Sequence, residues 1–310
     1  MNHPPLHVNL AGIALANPVV LLSGCAGFGE ELANIQGFDF ASVGAICLKG
    51  TTLEPRRGNP PPRLAETPAG LLNAIGLQNP GARYVIEQIL PRIAHLPTRL
   101  IANIAGSTVA EYGEVARLFD DSPVDAIEIN ISCPNVKEGG AAFGADPHSA
   151  AQVVTAVRQA TSKPIITKLS PNVTDIRPIA TAAIDAGTNA FAAINTLMGM
   201  AVDIDNRRAI LGNKQGGLSG AAIKPVALLK VWQLHQVTAP HAIPIIGQGG
   251  IGSATDAIEF LLAGATAVGI GTALFKNPLI GSEIAAGIAQ YLVKQNFPYV
   301  SALTGTLQNA

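Results

Sequence analysis

The chain has 310 residues, 48% of them hydrophobic and only 13% charged, against a usual charged share of about 25%, which excludes a disordered chain. Lys and Arg number 20 and Asp and Glu 21, for a net charge of −1, so there is no broad field to bind nucleic acid or anionic lipid. The three cysteines, Cys25, Cys47 and Cys133, form neither a C-x-x-C pair nor a disulfide framework, which fits a reducing cytoplasm, and they are too few to hold an iron–sulfur cluster alone.

The opening MNHPPLHVNLAG lacks the basic start and apolar run of a signal peptide, and no membrane anchor is expected. Two short extended pieces, 7–10 and 13–16, joined through Ala11-Gly12, predict an N-terminal β-hairpin closing a barrel floor. Apolar runs then fall at 19–23, 43–49, 100–104, 126–132, 165–170, 190–195, 243–247 and 267–271. They are apolar almost throughout, as parallel strands covered on both faces are. Helical patterns near 30–36, 83–94, 109–119, 147–161, 175–186, 224–237, 254–263 and 279–294 alternate with them. The alternation predicts α/β class and a closed (β/α)8 TIM barrel, one domain over 1–310, in preference to an open doubly wound sheet. The apolar stretch 260–275 is interrupted by glycines and reads as a buried βα unit, not a membrane span. Pro164-Ile165-Ile166 recurs as Pro244-Ile245-Ile246, a weak two-unit repeat that supports the fold only.

Three long segments without regular pattern, 50–73, 133–146 and 196–221, each follow a predicted strand. In a parallel barrel such loops converge on the C-terminal face, where active sites form. Polar side chains mark the same ends: Lys49, Asn103, Asn130, Lys168, Asn195 and Thr196. A single one has a bland explanation in loop backbone or water, but six on one face describe an amide-rich pocket with two cations, suited to a planar anionic ligand. The seventh strand runs into Gly247-Gln248-Gly249-Gly250-Ile251-Gly252, with Ser253 and Asp256 marking a helix start, and the eighth into Gly271-Thr272. G-x-G-x-x-G invites a dinucleotide fingerprint, but no acidic residue closes the next strand, and loops after strands seven and eight are where barrels bind phosphate. A phosphomonoester is the expected ligand.

Cys133 lies in Asn130-Ile131-Ser132-Cys133-Pro134-Asn135, ahead of Lys137 and Gly139-Gly140. A buried inert thiol is the commoner fate of a cysteine and suits Cys25 and Cys47, whereas a polar lid around Cys133 suits a base. A nucleophile would want a nearby histidine, yet His3, His7, His95, His148, His235 and His241 fall in termini, helices or helix connections. No metal is expected: Glu128, Asp203 and Asp205 read as isolated carboxylates. A phosphate-bearing organic cofactor, flavin mononucleotide (FMN), would supply the missing electrophile.

These residues resemble the catalytic subunit of class 1 dihydroorotate dehydrogenases, more specifically type 1B. The resemblance runs through Ser23-Gly24, Lys49 with GTTLEPRRGNPPPR, LLNAIGLQNPG, Ala102-Asn103, NISCPNVKEGG, Lys168-Leu169-Ser170-Pro171-Asn172, Ile194-Asn195-Thr196, Gly217-Leu218-Ser219-Gly220 and the two phosphate loops. It implies a TIM barrel that oxidises dihydroorotate to orotate on FMN in pyrimidine biosynthesis. It implies that Cys133 removes a proton from C5 while hydride passes from C6 to FMN, and that Lys168 stabilises the reduced ring. Lys49, Asn73, Asn130, Asn195 and Thr196 would bind the substrate, with the backbone of Ala74, Ile75, Gly76 and Leu77 shaping its pocket. Ser23, Lys49, Gly50, Asn103, Asn130, Lys168, Ile194 and Gly220 would hold the flavin ring and ribityl chain, and Gly249, Gly250, Gly271 and Thr272 the phosphate. Gly50 departs from the family, which often has a small side chain there. The 1B type further implies a homodimer joined by an electron-transfer subunit that carries FAD and a [2Fe-2S] cluster and passes electrons to NAD, a heterotetramer. Rivals are a fumarate-dependent 1A enzyme, an FMN-dependent dihydropyrimidine dehydrogenase, and a flavin-binding electron carrier or inactive subunit.

Overall fold

A computed structural model describes residues 5–131 and 143–308. Strands β1 (Val8–Leu10) and β2 (Ile13–Leu15) form the expected antiparallel hairpin. Val8, Leu10, Ile13 and Leu15 are buried while Asn9 and Ala14 face out, the period-two pattern of a sheet with one face on a core. The Arg99 guanidinium donates to the Ala14 carbonyl at 3.2 Å, which puts the hairpin beneath the strand starts, as a floor.

Chain order then gives β3 (Val19–Leu21) and β4 (Ala45–Cys47), a hairpin of β5 (Leu64–Thr67) and β6 (Gly70–Asn73), and β7 (Arg99–Ile104), β8 (Ala126–Asn130), β9 (Ile165–Leu169) and β10 (Ala190–Ala193). Short strands β11 (Leu197–Gly199), β12 (Val202–Asp203), β13 (Arg208–Ala209) and β14 (Gly216–Ser219) precede β15 (Ile245–Gln248) and β16 (Ala267–Ile270). Strands β3, β4, β7, β8, β9, β10, β15 and β16 close in that order into a parallel barrel, β16 pairing back to β3. Every residue of β8, β9, β10, β15 and β16 is buried, which is why these strands carry no polar alternation.

The helices α1 (Ala82–Tyr84), α2 (Leu90–Ile93), α3 (Val109–Asp120), α4 (Pro147–Ala160), α5 (Arg177–Asp185), α6 (Lys224–Thr238), α7 (Ala254–Leu262) and α8 (Ile280–Lys294) follow the sequence pattern. Their starts are chemically marked: Thr108, Asp146 and Ser253 accept hydrogen bonds from the backbone N–H of Glu111, Ser149 and Asp256. The stretch 260–275 divides into the end of α7, β16 and a 3-10 turn, Thr272–Phe275. Among the described residues no helix is long and apolar enough to cross a membrane.

Three expectations change. The helix expected at 30–36 is a 3-10 turn, Glu30–Asn34, because Gly29 enters it in the left-handed region (φ +93°) and Gly37 follows with φ +83°. The helix expected at 83–94 is continuous in space, but α1 and α2 flank a π-helical turn, Val85–Ile89. The segments 50–73 and 196–221 are not irregular: β11, β14, β6 and β5 make a four-stranded antiparallel sheet, and β12 and β13 a small hairpin. Glycine conceals these strands, and packing demands it. A Cβ at Gly217 would lie 1.9 Å from Thr196 Oγ1, and one at Gly70 would lie 2.0 Å from the Ser219 carbonyl. The second loop, 133–146, falls largely outside the described residues, and Cys133 with it.

At the floor, Gly44 begins the turn into β4, and a methyl there would sit 2.1 Å from the Asn17 backbone carbonyl. Backbone cannot swing aside as a side chain can, so Gly44→Ala should destabilise the fold by roughly 1–3 kcal/mol. A urea titration should show a lower midpoint with an unchanged slope; an unchanged midpoint would mean the floor yields freely.

Candidate functional site

Residues two apart on a strand share a face, so Cys47, Asn103, Glu128, Asn130 and Lys168 turn into the barrel near the strand ends. Their centre is Glu128, 1% exposed, with Lys168 at 6%. Glu128 Oε1 accepts from Lys168 Nζ at 3.5 Å, from the Cys47 thiol at 3.2 Å, and from Asn103 Nδ2. Burial pulls the Lys168 pKa down, but the Glu128 carboxylate together with the neighbouring Cys47 and Cys25 holds the ammonium above the usual lysine value. Glu128 is therefore not the isolated carboxylate its strand suggested. The sequence signal was present: an acid inside an apolar strand, two residues before Asn130, has to find a partner.

From that centre a row of amides crosses the mouth. Asn130 Nδ2 donates to Asn103 Oδ1 at 3.5 Å, Asn195 Nδ2 to Asn130 Oδ1 at 3.2 Å, and the Thr196 backbone N–H to Asn195 Oδ1 at 2.8 Å. The backbone carbonyl of Asn130 is held by the Tyr112 hydroxyl at 2.8 Å. Asn172 reaches over from the loop after β9, donating to the Thr196 carbonyl at 3.1 Å and accepting from the Met198 N–H at 2.9 Å. That loop is tied down by a residue sequence reasoning missed, the buried Lys230, whose ammonium donates to the carbonyls of Val173 and Thr174 at 2.9 and 2.7 Å. Nothing in a helical lysine distinguishes it from a solvated one.

The loop sheet supplies the roof. Asn73, at the end of β6, donates to the Gly217 carbonyl at 3.1 Å, and Gly217 packs on Thr196. Ala74 to Leu77 are clamped from both sides: Asn59 Nδ2 donates to the Ala74 carbonyl at 3.1 Å, its backbone N–H to the Ile75 carbonyl at 3.0 Å, and Asn79 Nδ2 to the Leu77 carbonyl at 2.7 Å. Gly76 and Leu77 both have positive φ, +73° and +55°. Gly50 lies between Asn103 and Leu77, 2.7 and 3.3 Å from where its Cβ would be. Lys49 is half-buried, its N–H bonded to the Gly27 carbonyl at 2.9 Å.

On the other side of the mouth Gly249 (φ +129°) and Gly250 (φ +82°) follow β15 in conformations open to glycine. A Cβ at Gly250 would lie 2.9 Å from the Gly220 carbonyl, and one at Gly249 would lie 2.7 Å from Ala227. Gln248 donates to the Ile194 carbonyl at 3.0 Å, while its Oε1 is buried without a partner among the described residues. Thr272 bonds Ser219 at 2.7 Å, which joins the turn after β16 to β14, and Gly271 abuts Cys25. Ser23, after β3, presents its backbone to the Cys47 thiol. Lys224, at the head of α6, is bound by Asp256 and Glu259 at 2.6 and 2.8 Å. The two thiols here are poor nucleophiles. Burial pushes Cys25 up to about 11 against the pull of Lys168 and Lys49, and burial together with Glu128 takes Cys47 well above the ordinary thiol value.

The closed parallel barrel makes this a (β/α)8-barrel protein, with polar residues gathered where its strands end, beside glycine turns after the last two strands, as its candidate site. The family model for dihydroorotate dehydrogenase matches residues 5–292. The chain belongs to that family. It is 53% identical over 309 residues, 99% of its length and 100% of the relative's, to the protein from Geotalea daltonii named dihydroorotate dehydrogenase B (NAD(+)), catalytic subunit. A protein of the same name from Desulforudis audaxviator is 52% identical over 299 residues, 96% of each chain. The crystal structure of DHODH from Eimeria tenella in complex with ferulenol matches with a TM-score of 0.83 over 99% of this chain and 91% of that one, at 22% identity, a likeness of fold.

With a pKa of about 11, only about one Cys25 in a thousand is thiolate at pH 8. Alkylation by iodoacetamide, mapped by mass spectrometry on the native chain, should therefore be slow at Cys25, rise about tenfold per pH unit up to pH 10, and be absent at Cys47. Fast labelling of Cys47 at pH 8 would contradict its burial against Glu128.

Proposed function

We propose that the chain oxidises dihydroorotate to orotate in pyrimidine biosynthesis, with FMN bound at the barrel mouth and Cys133 as the base. The observation that carries this reading is the row Asn103–Asn130–Asn195–Thr196, which begins at the Lys168–Glu128 pair and faces the glycine turns on the same barrel end. A flat ring rich in N–H and C=O groups needs such alternating donors and acceptors; a phosphate needs backbone N–H groups that no Cβ obstructs.

The residues present fit FMN. Gly249, Gly250, Gly271 and Thr272 would receive its phosphate, and Ser23, Asn103, Ile194 and Gly220 its ring and ribityl chain, with Lys49, Gly50, Asn130 and Lys168 along the ring. The unpartnered Gln248 Oε1 is an acceptor still in want of a donor there. When bound, FMN supplies acceptance of the hydride from C6 of the substrate. Lys168 would keep a positive charge fixed beside the bound flavin, where reduction builds negative charge. Lys49 holds the substrate carboxylate, while Asn73, Asn130, Asn195 and Thr196 hold its amides. The clamped backbone of Ala74, Ile75, Gly76 and Leu77 would shape the pocket that takes the substrate. Cys133 takes the proton from C5. Two protein groups, a base and a fixed cation, thus meet the two charges that the oxidation develops.

Curated relatives at 51–53% identity carry the name of the NAD(+)-linked B form's catalytic subunit, which supports the NAD route over fumarate for this chain. On that reading the electrons leave through a partner chain holding FAD and a [2Fe-2S] cluster, two copies of each chain forming a cytoplasmic heterotetramer. Three cysteines, with Cys47 engaged by Glu128, leave no set of four to ligate a cluster here.

Anaerobic addition of dihydroorotate should bleach the yellow protein, and dihydrouracil should not. Bleaching by dihydrouracil would transfer the chain to dihydropyrimidine chemistry, and turnover of the isolated chain with fumarate would make it a 1A enzyme. Cys133→Ala should stay yellow but reduce its flavin about 10²–10⁴-fold more slowly; an unchanged rate removes Cys133 from the mechanism. Gly250→Val, which sets a branched side chain against the Gly220 carbonyl, should be purified with substoichiometric flavin, counted by absorbance against protein. Full flavin occupancy would move the phosphate elsewhere.

A further inference from the structure

Glycine at 249 and 250 gives the turn after β15 backbone freedom as well as room, so something outside the turn has to hold it still. Among the described residues the backbone of 249–252 makes one hydrogen bond, from the Gly252 N–H to Asp256 Oδ2 at 3.1 Å. Asp256, in the first turn of α7, also accepts from the Ser253 hydroxyl at 2.8 Å. Its other oxygen takes the Lys224 ammonium at 2.6 Å, and Glu259, further along α7, takes the same ammonium at 2.8 Å.

Lys224 meets the turn at a second point. A Cβ at Gly250 would lie 2.8 Å from the Lys224 Cβ and 3.0 Å from its backbone nitrogen. The residue thus stands against the middle of the turn with its stem, while its head fixes the carboxylate that holds the turn's far end. Hydrogen bonds to Asp256 and Glu259 raise the Lys224 pKa, so the bridge is charged at neutral pH. Without it the two carboxylates of α7 would lose the cation they share, and an anion arriving at the turn would meet their repulsion as well as a loosened backbone.

We propose that Lys224 is a positioning residue: by bridging the heads of α6 and α7 through Asp256, it holds the backbone of 249–252 in the form that receives a phosphate group. The proposal rests on the reading above that this turn takes the FMN phosphate, and deepens it by naming the side chain that shapes the turn without touching the ligand.

Lys224→Met keeps the stem and removes the charge. In the full chain freed of flavin, titration with FMN and with riboflavin separates the phosphate from the ring, since riboflavin has the ring and ribityl chain alone. The variant should bind FMN about tenfold more weakly, as loss of one charge-assisted hydrogen bond implies, and riboflavin as wild type does. An equal loss for both ligands would mean a general loosening of the barrel, and an unchanged FMN affinity would mean that the turn holds itself; either overturns the proposal. Asp256→Ala should cost FMN a similar factor, and the double variant no more than either single change, because both break one link. If Lys224 gripped the phosphate itself, Asp256→Ala would free it to do so; tighter FMN binding, or losses that add, would overturn the positioning role. Hydrogen exchange read by mass spectrometry needs no flavin. Peptides covering 249–253 should exchange faster in Lys224→Met than in wild type while those covering β8 stay unchanged, and unaltered exchange at 249–253 would sink the idea. If wild type binds neither FMN nor riboflavin, the FMN reading is wrong, and the exchange data still judge Lys224.

Discussion

A charge pair inside the barrel is the constraint around which the site is arranged. Glu128 and Lys168 sit on adjacent strands among side chains that are otherwise apolar, and taking both out of water costs several kcal/mol per ion before their attraction is counted. At 3.5 Å, with one oxygen shared among three donors, the attraction alone is a modest return. Stability is a poor reason for such a pair. What it provides is fixity: removal of either partner would strand the other, so strands β4, β7, β8 and β9 are committed to one relative placement at the end where ligands arrive. The same pair explains the thiol beside it. Cys47 donates to a carboxylate in a buried site, so its ionisation is opposed twice, by desolvation and by charge.

The site joins this rigid wall to a roof of a different kind. The wall is made of side chains on barrel strands, with positions set by the parallel ladder. The roof is backbone, the β11–β14–β6–β5 sheet and the clamped turn at 74–77, drawn from two loops far apart in sequence. Asn73, Gly217 and Thr196 are where the two meet. The side proposed to receive the phosphate has yet another character, since backbone N–H groups at Gly249 and Gly250 carry no titratable group and no rotamer. Side-chain amides, clamped carbonyls and bare backbone therefore occupy three separate sectors of one mouth.

The barrel was legible in the sequence because strands buried on both faces are written as unbroken apolar runs, and helices with marked starts at Thr108, Asp146 and Ser253 separate them. The strand-end residues Lys49, Asn103, Asn130, Lys168 and Asn195 were legible for the converse reason, as polar letters where apolar ones are expected. The roof was not. Gly70, Gly199, Gly216 and Gly217 are strand residues of a type that disfavours strands, and only the contacts their missing side chains would have made reveal why. Lys230 was invisible as well, because its ionic head is engaged by carbonyls of a loop more than fifty positions upstream. Glu128 was visible but misjudged, since a lone acid in a strand does not disclose that a lysine forty positions on will lie beside it.

Gly50 shows how far the charge pair reaches. The family resemblance leads one to expect a small side chain here, and an exchange of glycine for such a residue looks innocuous in isolation. A Cβ at this position, however, would meet Asn103 Oδ1 at 2.7 Å. An asparagine oxygen can ordinarily move away, by rotation or by exchanging ends with its nitrogen. Asn103 has neither freedom, because its nitrogen is held by Glu128 and its oxygen is engaged by Asn130. Glycine at 50 is thus a consequence of an amide held at both ends, one of them by a carboxylate two strands away.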